Sequence, residues 1–188
     1  MTGSTPLLTI ASVLTALIIL VCPASVISGT NAATDAGPNA SRDDGTHDRV
    51  DRIVIEKALR KLTLLNGERP VRSYQVALGA KPEGHKRREG DQRTPEGTYS
   101  IDARNPNSDF FLSLRISYPN EQDLARAKSR GQDPGGQIMI HGLRNGRGWI
   151  GSSHQRNDWT DGCVAVTNSE MLEIWRMVDL GTPVEIKP

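Results

Sequence analysis

The sequence predicts a mainly β domain, a β-rich α+β sandwich with two short helices. Three observations carry that expectation. About eight short runs rich in Val, Ile, Leu and Thr are separated by Gly, Pro, Asn and Asp turn signals. Only two stretches have helical periodicity. The first three runs are too closely spaced for a crossover helix, which indicates an antiparallel meander and not βαβ units.

In order, Arg52–Glu56 and Lys61–Leu65 are β-rich runs joined through Lys57–Arg60. Asn66-Gly67 marks a tight hairpin turn into a third strand, Val71–Leu78. Gly79–Gly97 is polar and rich in breakers, hence a long loop. It carries His85 and the run Lys86-Arg87-Arg88, either a solvated loop or a basic rim meeting an anionic polymer or a substrate carboxylate. Thr98–Ala103 and Leu112–Tyr118 resume strand character, and Glu121–Ser129 reads as a short helix. Gln137–Ile140 is an apolar strand that delivers His141 to its end, and Val164–Val166 is another. Thr167-Asn-Ser-Glu170 is a capping-box signature opening a helix from Ser169 to about Leu180. Met171, Leu172, Ile174, Trp175 and Val178 lie along one face of it, with Gly181 expected at the C′ position. Thr182–Ile186 supplies the last strand.

The N-terminus differs in kind. Residues 7–27 carry no charge and are dominated by Leu, Ile, Val and Ala, so 1–29 is expected to be a signal peptide or an N-terminal membrane anchor. Leu20-Val21-Cys22 only faintly resembles a lipoprotein signal. Residues 30–48 lack periodicity and apolar weight and read as a flexible linker, His47 included. The folded domain is expected over 49–188, exported to the periplasm or cell envelope. A net charge of +1 gives no case for a nucleic-acid binder. With 4% aromatic residues the core must be aliphatic.

Of two cysteines, Cys22 lies in the targeting segment. The exported domain therefore holds one thiol, Cys163, in a compartment that favours disulfides, so it is either reactive or buried. A free thiol, with a pKa of about 8.5, is mostly protonated at neutral pH and needs a base. His141 ends a rigid strand and is the preferred base, stabilising the thiolate as an ion pair. His154, in a loop nine residues before Cys163, competes as base or serves as a substrate contact. Gly162 leaves the approach to the sulfur clear and suits an oxyanion hole of backbone amides. Thr160 and Asp161 share that turn, and Trp149 and Trp159 flank the loop as cleft walls or packing. His141, His154, Asp161 and Cys163 lack metal-ligand spacing, so no metal and no cofactor are expected.

Ile140-His-Gly142 followed by Thr160-Asp-Gly-Cys-Val-Ala-Val166 resembles the active-site signature of the L,D-transpeptidase (YkuD-type) catalytic domain. Thr94-Pro-Glu-Gly-Thr-Tyr99 and the opening Asp51-Arg-Ile-Val-Ile resemble that family too, and the likeness spans about Arg49 to Ile186. Three features depart from the common pattern and bear on substrate preference. Asp161 stands where many members have His, Ala165 where many have Arg, and the span from His141 to Thr160 is long.

The resemblance implies a sandwich with the cysteine in a cleft. Cys163 would attack a peptidoglycan tetrapeptide stem after the L-centre of meso-diaminopimelate and expel D-alanine. A second stem's amine would resolve the thioester into a 3→3 cross-link. His141 would move the protons, a backbone carbonyl would orient its ring, and the amides of Gly162 and Cys163 would hold the oxyanion. Gly142, Thr160, Asp161, His154 and Trp159 complete the expected site. Peptidoglycan stem peptides are the expected partners, with no nucleic acid, and the chain is expected to be a monomer. The rivals are an L,D-carboxypeptidase or other amide hydrolase on the same site, and a non-catalytic wall-binding module.

Overall fold

The computed structural model describes residues 49–188. The targeting segment and linker expected over 1–48 lie outside the described residues. Strands β1 (Arg52–Glu56), β2 (Lys61–Asn66) and β3 (Arg69–Gln75) form the expected meander. Ile53, Val54 and Ile55 of β1 are all buried, as a strand paired on both sides and covered on both faces requires. The chain continues through β4 (Gly97–Asn105), β5 (Ser113–Ile116), α1 (Glu121–Lys128), β6 (Met139–His141), β7 (Val164–Ala165), α2 (Asn168–Met177) and β8 (Pro183–Lys187).

All eight strands join one curled sheet in the order β3-β2-β1-β8-β4-β5-β6-β7. Ala77, just past β3, exchanges both backbone hydrogen bonds with Ala165 of β7, so the two ends of the sheet meet. Ala165 is fully buried in that closure. An arginine at this position would have to place its charge in a fully buried seam.

The meander expected of the first three strands holds, and β4, β5 and β6 also pair antiparallel in chain order, but two pairings are parallel. β1 pairs with β8 in parallel, and β6 pairs with β7 in parallel. Both pairings join segments far apart in sequence, where hairpin reasoning has no purchase. The connection from β6 to β7 also holds a helical element that the sequence pattern does not announce. Two short 3₁₀ turns over Gly148–Arg156 meet at Gly151, whose φ of 52° breaks the helix.

Both α-helices begin as their sequences direct. Asn120 and Asp123 form a capping box on α1, and Thr167 and Glu170 form the expected one on α2. Met171, Ile174 and Val178 are fully buried, each contributing roughly 1.5–3 kcal/mol. Leu172 and Trp175 lie at the edge of that face.

The end of α2 corrects the expectation. It stops at Met177, and Val178 is extended, so Gly181 is not its C′ residue. Arg104, reaching over from β4, donates to the carbonyls of Trp175 and Val178 at 2.7 Å each and stacks on the Trp175 ring. Its cation serves the helix C-terminus in place of a glycine. Gly181 instead turns the chain into β8.

The loop over residues 79–97 is tied down and not simply solvated. The buried Lys57 ammonium donates to the carbonyls of Gly84 and Thr94 and pairs with Glu96 at 2.7 Å. His85 accepts the Glu96 amide at Nδ1 and donates through Nε2 to the buried Asp123 carboxylate. Lys86 is buried too, paired with Asp91. Only Arg87 and Arg88 remain as an exposed basic rim, beside Lys81, Arg93 and Arg130. Among the described residues no helix is long and apolar enough to cross a membrane.

Candidate active site

The parallel β6–β7 register builds the site. Ile140 lies beside Val164 and His141 beside Ala165, so Cys163, one residue earlier, falls opposite Met139. By strand spacing and rise, the Cα atoms of His141 and Cys163 are then about 8 Å apart on adjacent strands. Strand alternation places both side chains on one face, which Met139 shares. The thiol is half-buried there and donates to the Gln137 carbonyl at 3.5 Å.

His141 is 3% exposed and its Nδ1 lies 2.6 Å from the Gly142 carbonyl. A carbonyl only accepts, so Nδ1 carries the hydrogen and Nε2 keeps its lone pair. This is the tautomer of a general base, held by a backbone carbonyl as the family resemblance implied. A side chain at Gly142 would collide with Asn168 Oδ1 at 2.8 Å, the atom that also receives the Leu143 amide.

The proton affinities run against the resting ion pair expected from the sequence. Burial pushes the Cys163 thiol up, and the charge of Asp161 adds to the rise. The Met139 amide and Lys86 act the other way. Burial lowers His141, more than its bond to Gly142 raises it. Both directions favour the neutral forms of the thiol and the imidazole.

Thr160 shapes the nucleophile's turn. Its buried hydroxyl donates to the Cys163 carbonyl at 2.8 Å and accepts the Gly162 amide at 3.1 Å. In this state the Gly162 N–H therefore faces Thr160, where the sequence suggested an oxyanion donor. Gly162 has a φ of 127°, and a Cβ there would stand 2.5 Å from the Arg93 carbonyl. Asp161 is exposed on the outside of the turn.

Trp159 packs against the His141 ring, and His154 packs against Trp159. Phe110 lies 4.6 Å from the His141 ring and stacks on Trp159 at 6.3 Å, and Trp159 meets His141 edge-on at 6.0 Å. The indole Nε1 of Trp159 donates to His154 Nδ1 at 3.4 Å. Trp149 is 82% exposed and lines nothing here. Phe110, Trp159 and His154 border a cleft of about 530 Å³ whose outer wall is the 3₁₀ segment with Arg144 and Arg147.

Sequence reasoning missed Phe110 and Asp158. Phe110-Phe111 are the chain's two phenylalanines, a signal in so aromatic-poor a sequence. Asp158 accepts the Leu78 amide and binds Arg60, fixing the turn from behind, and nothing in its neighbours marks it.

A thiol and an imidazole on neighbouring parallel strands of a curled β-rich domain define a class, β-rich domains with a Cys–His pair at a strand junction. The chain belongs to the L,D-transpeptidase catalytic domain (YkuD) family, whose profile matches residues 50–186. Members of this family act on peptidoglycan peptides. YafK of Escherichia coli (strain K12), itself only provisionally an L,D-transpeptidase, is 30% identical over 108 residues, 56% of this chain and 36% of YafK. Pgp2 of Campylobacter jejuni, a helical cell shape determining protein, superposes with a TM-score of 0.58 at 24% identity. That match covers 74% of this chain and 48% of Pgp2. Bd1075 of Bdellovibrio bacteriovorus gives 0.52 at 26% identity, over 76% and 49%. The chain thus spans about a third of its curated relative and about half of these two structures.

Proposed function

We propose that the protein is an exported cysteine acyltransferase of the cell wall, an L,D-transpeptidase acting on peptidoglycan stem peptides. The observation that carries this reading is the tautomer of His141, with Nε2 unprotonated beside the turn that holds Cys163. His141 Nε2 takes the Cys163 proton as sulfur attacks the carbonyl after the L-centre of diaminopimelate. The S–C bond forms and the negative charge collects on oxygen, for which we assign the Cys163 amide as donor. One such donor is worth roughly 3–4 kcal/mol in other acyl-transfer enzymes.

As the C–N bond breaks, the imidazolium gives its proton to the departing D-alanine nitrogen. A thioester remains. The side-chain amine of a second stem attacks it, gives a proton to His141 and displaces the thiolate, which recovers the proton. With water in the amine's place, the same sequence yields a carboxypeptidase.

The test is mass spectrometry of muropeptides incubated with the protein. Appearance of 3→3 dimers, with a thioester adduct on Cys163 in the intact mass, is the expected result. Tripeptides without dimers would reassign the acceptor to water. Unchanged muropeptides together with an unmodified thiol would leave a wall-binding module as the reading.

A further inference from the structure

His154 is buried, 8% exposed, and its Nε2 has no hydrogen-bond partner among the described residues. An indole N–H can only donate, so the Trp159 contact makes His154 Nδ1 the acceptor and puts the ring's hydrogen on Nε2. Burial lowers the ring's proton affinity more than Glu170 raises it, in keeping with a neutral ring. The result is a shielded N–H donor with no protein acceptor among the described residues, and such groups in folded proteins are met by water or a ligand.

Its surroundings say which acceptor. The cleft that His154 borders includes Arg144, Arg147 and Asn157 and no Asp or Glu. Neither arginine has an ion-pair partner among the described residues, and both are exposed. Two unpaired guanidinium groups and an orphan imidazole N–H together suit a carboxylate, which takes several donors at once.

Position says whose carboxylate. A leaving nitrogen must lie at His141 Nε2 to be protonated. Phe110 and Trp159 flank the His141 ring and also wall the cleft, so the rest of the leaving amino acid lies toward His154.

We propose that this cleft binds the carboxylate of the amino acid on the amine side of the scissile bond, through His154 Nε2–H with Arg144 and Arg147 beside it. This rests on the acyl-transfer reading above and makes His154 a specificity-determining residue. Because an incoming amine must occupy the same place as the leaving one, the cleft serves an acceptor's carboxylate in the second half-reaction too.

The experiment uses the full chain carrying Cys163→Ala, titrated calorimetrically with a tetrapeptide stem ending in a free carboxylate and with its C-terminal carboxamide. The acid should bind at least about tenfold tighter than the amide, the size of a charge-assisted hydrogen bond. Adding His154→Leu should bring the two within about threefold, while His154→Gln, which keeps a donor, should retain part of the preference. A preference that survives His154→Leu and the pair Arg144→Gln/Arg147→Gln overturns the proposal, as does its absence in Cys163→Ala alone.

With native Cys163, thioester formation reports the donor's carboxylate, and consumption of a preformed thioester by an amino acid or its amide reports the acceptor's. Acid selectivity in either half-reaction that disappears in His154→Leu supports the cleft, and its persistence there counts against it. Binding discrimination without any thioester would sink the acyl-transfer reading and leave the carboxylate cleft standing.

Discussion

His141 and His154 sit against the same tryptophan, yet they are built for opposite tasks. His141 ends a strand and gives its Nδ1 hydrogen to a backbone carbonyl, which leaves Nε2 as a base. His154 lies in a 3₁₀ segment and receives an indole hydrogen at Nδ1, which leaves Nε2 as a donor. Burial lowers both, so neither difference comes from charge. The role of an imidazole is set by what its far nitrogen touches. No sequence pattern records that contact.

The largest effect should separate the two rings. His141→Ala is expected to lower turnover by about 10²–10⁴-fold, the usual worth of a positioned base. Cys163→Ala should abolish turnover and leave folding intact. His154→Ala should cost less than His141→Ala, and its loss should lie in substrate affinity. A larger loss from His154→Ala in muropeptide turnover would reverse the assignment of base.

The pH dependence sharpens the comparison next. With His141 held below the ordinary imidazole range, the acid limb of kcat/KM should fall at a pH below that range. Labelling of Cys163 by iodoacetamide should accelerate only above the ordinary thiol range, because burial raises the thiol. Fast labelling at neutral pH would mean that a resting ion pair forms after all.

Stability should track the same rings. His85, His141 and His154 all have folded proton affinities below their unfolded ones. Unfolded imidazoles take up protons near pH 6.5, where the folded ones do not. Stability is therefore complete above about pH 6.5 and declines as pH falls through that value toward the lower folded pKa values. A Tm that stays flat from pH 7.5 to pH 5 would contradict this.

Smaller effects test the turn. Thr160→Val removes the hydroxyl that joins Gly162 to Cys163 and should cost about 1–3 kcal/mol in denaturant unfolding. Asp161→Asn lifts a negative charge from an exposed site beside the sulfur and should speed labelling by no more than about fivefold.

Most elements were legible because local rules set them. The hairpin after β2 and the Thr167–Glu170 capping box are short-range chemistry; the box occurs as read, and the turn falls one residue later than read, at Gly67-Glu68. Pairing His141 with Cys163 was legible as a combination of residue types. The means of bringing them together was not, since a parallel crossover joins residues 141 and 164 through tertiary contacts alone. The end of α2 was misread for a like reason. Its terminal carbonyls are met by Arg104, more than sixty positions upstream, and a glycine near the right place drew the eye instead. The 3₁₀ segment left little trace because Gly148 and Gly151 interrupt any periodicity.

The carbonyl of Arg93 against Gly162 has a consequence for motion. The nucleophile's turn rests on a strap of chain that Lys57 ties down at Gly84 and Thr94. His85 ties it to Asp123 of α1, while Asp91 braces it from within through Lys86. Any widening around the sulfur on that side requires the strap to lift first. A lysine buried on a different hairpin is thus linked through this strap to the surroundings of the sulfur, and Lys57→Met should speed iodoacetamide labelling of Cys163.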